Sequence, residues 1–114
     1  MSSEHVERAV TTLPHRLRTL EPKAITHHLQ QLPQWSLNDS GATLAIERSF
    51  HFDHYLQTIA FVNAVAWLAE QHNHHPSLHV QYRCCTVQWT THDAAGLTLL
   101  DFDCAQRTDA LVNL

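Results

Sequence analysis

The sequence predicts an α+β domain, a four-stranded antiparallel sheet with three helices packed on one face, in the order α-β-β-α-β-β-α. Three observations predict it. A long apolar pattern with helical spacing fills the middle of the chain, from Asp53 to His72. On each side of it lies a pair of short stretches that alternate with period two. Shorter helical patterns, opened by Pro22 and by Thr98, stand at the two ends. A chain of 114 residues suits one domain around one core.

Taken in order, residues 1–20 read as an N-terminal extension in which Pro14 interrupts any long helix, and residues 21–114 as the domain. Ala24, Ile25, Leu29 and Leu32 give a helix from Pro22 that Pro33 ends. Trp35–Leu37 and Thr43–Phe50 form a hairpin around the turn residues Asn38-Asp39-Ser40-Gly41. Asp53 is the expected N-cap of the central helix. Tyr55, Ile59, Val62, Ala66 and Ala69 form one apolar row along it. Phe61, Val65 and Leu68, with Trp67, form a second, which one sheet cannot also cover and which is expected to meet another subunit in a homodimer or homotetramer. Leu78–Tyr82 and Cys85–Thr91 are two adjacent strands or one long bent strand, and a final helix capped by Thr98 runs to about Asn113.

Composition excludes several classes. Net charge is -4, and only 7 Lys and Arg are scattered along the chain, which gives no footprint for nucleic acid. No apolar run could span a membrane, and the N-terminus lacks a signal-peptide pattern. Cys84, Cys85 and Cys104 have no Cys-x-x-Cys spacing; the first two point to opposite faces of a strand, so reduced thiols and a cytoplasmic location are expected. Histidine is the outlier, at 11 residues.

Three of these imidazoles lie in Glu70-Gln71-His72-Asn73-His74-His75-Pro76, where the central helix must turn into the third strand. A corner held between two regular elements can fix side chains for chemistry. The cluster admits three readings: a metal site with His79, helix-end imidazoles favoured by the macrodipole, or paired acid/base groups. His72 and His79 fit the second. No fourth ligand stands at zinc-like spacing, so no metal is expected. His92 follows the fourth strand and adds a further imidazole for acid/base work. With the last two strands antiparallel, the His74 and His92 corners are expected at opposite ends of the pair, meeting only across the sheet edge or beside a helix. Asp101 could orient an imidazole or stabilise the first turn of the last helix. Cys84 and Cys85 read as packing residues. No phosphate loop or serine elbow is present.

The pattern Glu70-x3-His74-His75-Pro76-x5-Tyr82-x9-His92-x8-Asp101 resembles the signature of the pterin-4a-carbinolamine dehydratases. Asn73 before the histidines, Thr91-His92-Asp93 and Gly96-Leu97-Thr98 are similar too, and the likeness spans Ala24 to Leu111. Phe102 departs from it, since the family usually carries Trp there, and so does the N-terminal extension. The resemblance implies the fold already read and a reaction: loss of water from 4a-hydroxytetrahydrobiopterin, giving the quinonoid dihydrobiopterin that aromatic amino acid hydroxylases consume after reduction. It implies His74, His75 and His92 as active-site histidines, Glu70 and Asp101 as supporting acids, and Trp35 beside the pterin. Asn73, Thr90, Thr91 and Asp93 are expected to line the substrate.

Such a reaction delivers one proton to the leaving hydroxyl and removes one from N5, work suited to imidazoles near neutral pH. It changes no oxidation state, so no cofactor is expected beyond the pterin as substrate. His74 is the expected principal acid/base, His92 its partner across the ring, and His75 a pterin-holding residue. The alternative, which the resemblance also implies, is a dimerisation cofactor for a transcription factor, acting through Phe61, Val65 and Leu68.

Overall fold

The structure, a computed structural model, describes residues 14–112. Residues 14–20 are the described part of the expected extension. They begin with a 3-10 turn at His15–Leu17, and Leu17 and Leu20 pack on the core. Helix α1 spans Pro22–Gln30, with the proline in its first turn where a missing N–H costs nothing. Strands β1 (Ser36–Asn38) and β2 (Ala45–His51) come next. The Asn38 carboxamide oxygen accepts the Ser40 N–H at 2.8 Å, the local bond that makes Asn a turn former.

Helix α2 spans Tyr55–His72. Two expectations fail on it. His54, in extended geometry, occupies the N-cap position in place of Asp53, whose own N–H is taken by the Gln57 side chain at 3.0 Å. The buried row is Thr58, Phe61, Val65, Leu68 and Ala69, while Tyr55 and Ala66 are exposed. Phe61, Val65 and Leu68 of the row expected at a subunit contact are therefore core, and only Trp67 of that row is exposed. Both rows step by three and four, so spacing does not rank them. Aromatic packing does: the Phe61 ring lies 4.6 Å from that of Phe50 and 5.2 Å from that of Phe52. The opposite face carries Leu56, 78% exposed, and Trp67, 73% exposed.

Strands β3 (Ser77–Gln81) and β4 (Cys84–Trp89) form the second hairpin, and the sheet order is β1-β2-β4-β3, antiparallel throughout. The central pairing runs from Ile46↔Trp89 to His51↔Cys84. Ile46, Phe50, Cys85, Val87 and Trp89 face the helices, and Glu47, Ser49, Thr86 and Gln88 the other way, as the period of two requires. Arg48, which breaks the apolar alternation, lies at the rim of the core, paired with Asp109 at 2.6 Å and 4.2 Å above the Phe50 ring. Helix α3 spans Leu99–Ala110 and stops before the expected Asn113, which lies outside the described residues with residues 1–13. It buries Leu100, Phe102, Cys104 and Ala105. No helix among the described residues is long and apolar enough to cross a membrane.

Candidate active site

The end of α2 sets the first imidazole. Asn73 takes the left-handed conformation, φ 47° and ψ 43°, which its short polar side chain tolerates. Its N–H bonds the Glu70 carbonyl at 3.3 Å, and the His74 N–H bonds that of Ala69 at 3.1 Å. These two reversed bonds close the helix and turn His74 inward. His74 is buried, and its ring stacks on Trp89, with centroids 5.3 Å apart and planes 19° from parallel.

The His74 ring meets Asp101 at 2.6 Å from Nε2 to Oδ1. A carboxylate only accepts, so Nε2 donates in this bond, and in the neutral ring Nδ1 then keeps the lone pair. Asp101 is fully buried, and every bond to it comes from a donor. Its Oδ2 accepts the Thr98 backbone N–H at 2.9 Å and the Thr91 hydroxyl at 2.8 Å. Thr91 and Thr98 hydroxyls are themselves 2.9 Å apart, so Thr98 donates to Thr91 and Thr91 to the carboxylate. The bond to Thr98 N–H is also half of a capping box at the start of α3. Asp101 thus caps the helix with one oxygen and bonds the His74 ring with the other.

The remaining expected residues divide between this corner and other parts of the fold. His75 projects outward, with Nε2 2.9 Å from Glu70 Oε1, and both side chains are exposed. His92 and Asp93 lie exposed in a 3-10 turn, His92–Ala94, directly after Thr91. The His74 and His92 corners share one end of the β3–β4 hairpin, contrary to the expectation of opposite ends. Antiparallel pairing sets Ser77 beside Gln88, so the chain entering β3 neighbours the chain leaving β4. Thr90 ties β4 to the approach of β2, donating to the Leu44 carbonyl at 2.7 Å. Trp35 is buried elsewhere: its Nε1–H donates to Asp109 at 2.8 Å, about 12 Å along α3 from Asp101 at 1.5 Å per residue. A groove of about 680 Å³ between β2 and α2, lined in part by Arg48, Phe50, Phe52 and Phe61, lies at the Cys84 end of the sheet, away from His74.

No three His, Cys, Asp or Glu side chains among the described residues gather as a metal-ligand set. The three cysteines are free. Burial, with Asp103 and Asp101 nearby, pushes the Cys104 thiol up to about 12, so it stays protonated and packs as a small apolar group. Trp89 and Thr98 join the site, although the sequence alone gives neither a role in it. Trp89 reads only as a strand residue standing one before the Thr90-Thr91-His92 run, and Thr98 as a helix cap within the Gly96-Leu97-Thr98 stretch of the family likeness, three before Asp101.

A Brucella melitensis crystal structure, described as a transcriptional coactivator/pterin dehydratase, matches with a TM-score of 0.78 and 29% identity, covering 84% of this chain and all of that one. A pterin dehydratase-like protein identified as a RuBisCO assembly factor in the alpha-carboxysome matches with a TM-score of 0.60 and 26% identity, over 70% of this chain and 90% of its own. Among curated proteins, one from Paracidovorax citrulli is 45% identical over 98 residues, 86% of this chain and 84% of its own. One from Chromobacterium violaceum is 40% identical over 100 residues, 88% of this chain and 89% of its own. Both are provisionally named pterin-4-alpha-carbinolamine dehydratases. The sequence profile of the pterin 4 alpha carbinolamine dehydratase family matches residues 18–111, and the chain belongs to that family.

Proposed function

We propose that the protein dehydrates 4a-hydroxytetrahydropterin to the quinonoid dihydropterin by imidazole acid/base catalysis, recycling the pterin of an aromatic amino acid hydroxylase. The observation that carries this reading is the buried His74–Asp101 pair, fed by Thr91 and Thr98. Asp101 fixes the ring by holding the Nε2 proton. It also stabilises the imidazolium that forms when Nδ1 takes a proton, as a carboxylate does behind any orienting His. In the proposed step Nδ1 removes the N5 proton, the N5 electron pair forms the N5=C4a bond, and the C4a–O bond breaks. A second imidazole, His92, gives the leaving hydroxyl its proton, and water departs. His75, braced by Glu70, binds the pterin, with Asn73, Thr90, Thr91 and Asp93 as the remaining contacts carried over from the family pattern; Trp35, buried against Asp109 away from this corner, drops out of the set. The carbinolamine nitrogen supplies its own push, so the reaction as proposed uses no metal and no further cofactor. Free thiols suit a cytoplasmic setting.

Steady-state kinetics on single variants test it. His74→Ala should lower kcat by at least about 100-fold, the lower end of what a positioned acid/base group contributes. His92→Ala should lower kcat less, and His75→Ala should chiefly raise KM. The double variant His74→Ala, His92→Ala should fold, by circular dichroism, and run at the uncatalysed rate. Near wild-type turnover in that double variant rejects the assignment.

A second reading has its own observation. Leu56 and Trp67, about three turns apart on the outer face of α2, are large, apolar and exposed. They favour a homo-oligomer built through α2, and would serve a protein-binding role in line with the transcriptional coactivator and RuBisCO assembly factor named in the two solved structures.

A further inference from the structure

We infer that the segment Thr19–Leu20 is a strap that positions His92, an inference that rests on the dehydratase reading above. His92 makes no side-chain hydrogen bond among the described residues, so the backbone carrying it sets its place. That backbone is folded tightly. Thr91 and Gly96 exchange both of their backbone bonds, at 3.0 and 3.3 Å, and the Ala95 N–H bonds the His92 carbonyl at 2.9 Å. Ala95 takes a positive φ of 55°, unfavourable for a residue with a Cβ, so the turn must be held from outside.

The first holding contact comes from a residue 75 positions away in sequence. The Thr19 hydroxyl donates to the Ala94 carbonyl at 2.5 Å. The Leu20 N–H donates to the Leu97 carbonyl at 2.8 Å, on the other side of the turn. The Thr19 methyl also fills the space beside Gly96, where a Cβ would come within 3.2 Å of it. Two hydrogen bonds thus grip the His92 turn at Ala94 and Leu97, and the Thr19 methyl lies where a side chain at residue 96 would have to go. Thr19 touches no reacting atom in this reading; it is a positioning residue acting through His92.

The test separates the hydroxyl from the methyl. Thr19→Val keeps the shape and loses the donor; Thr19→Ser keeps the donor. Thr19→Val should lower kcat roughly tenfold, short of the hundredfold that a 1 Å misplacement can cost. KM should change little, the melting temperature should hold, and Thr19→Ser should retain wild-type turnover. In a His92→Ala background Thr19→Val should cost nothing more, because its effect passes through that imidazole. Amide exchange at Ala95 and Gly96 should quicken in Thr19→Val. Wild-type turnover in Thr19→Val, or the same fractional loss in both backgrounds, overturns the inference. A wild-type chain that dehydrates no pterin removes the dehydratase reading instead, while unchanged exchange at Ala95 and Gly96 removes the strap whatever the activity.

Discussion

Asp101 has two tasks that most proteins give to separate side chains. One oxygen holds the His74 proton and the other closes the first turn of α3. Replacing it by Asn leaves one acceptor where two were used and turns an NH2 toward a buried N–H or O–H. Asp101→Asn should therefore lose about 1–3 kcal/mol of stability, the cost of an unmade buried bond. Turnover should fall with it, because His74 loses its anchor. Urea unfolding and kcat on the same preparation check both, and an unchanged unfolding midpoint would count against the shared role. The sequence pointed to both tasks without choosing, since position N3 of a helix and nine residues past His92 are compatible with either. Trp89 was harder to read. Its alternation placed it in the core, which is correct, but nothing in a period of two tells which ring will lie on top of it.

Elements were legible where local chemistry decides them. Pro22, the Asn38 turn and the Thr98 cap each act within a few residues, and each marks its boundary. The central helix misled at its start, where His54 and not Asp53 holds the N-cap position, and no side chain bonds the free N–H groups there. Its end depends on Asn73. With a Cβ-bearing residue that has no local hydrogen-bonding option, the left-handed turn should cost roughly 1–2 kcal/mol. Asn73→Val is thus expected to lower the thermal midpoint, and Asn73→Gly to hold or raise it. Equal midpoints for the two would mean that the corner does not need this geometry. The hairpin explains why the two histidine corners lie at one end: chain reversal puts the entry of β3 beside the exit of β4. Topology alone dictates that placement, and the contrary expectation came from counting along the chain instead of across the ladder.

On the scale of the whole molecule, the faces of α2 could not be ranked from sequence. The helix is apolar on most of its circumference, and which row is inward depends on Phe50 and Phe52, which meet Phe61 only in the fold. Phe61→Asp should accordingly unfold the protomer, since it buries a charge in the core. Leu56→Asp and Trp67→Asp should leave the protomer folded and shift the sedimentation coefficient toward that of a monomer. A wild-type protein already monomeric at high concentration would remove the oligomer.

The bond between His74 and Asp101 spans 27 positions and joins the β3 entry to α3. A refolding chain can form α2 and the β3–β4 hairpin from near neighbours, but it cannot make this bond until the last helix docks on the sheet. Competence for catalysis should therefore arrive after most of the secondary structure. In stopped-flow refolding, far-UV ellipticity should recover ahead of dehydratase turnover, and the delay should lengthen when Leu100 or Ala105, which seat α3, is weakened. Simultaneous recovery of the two signals would show that the last helix is in place from the outset.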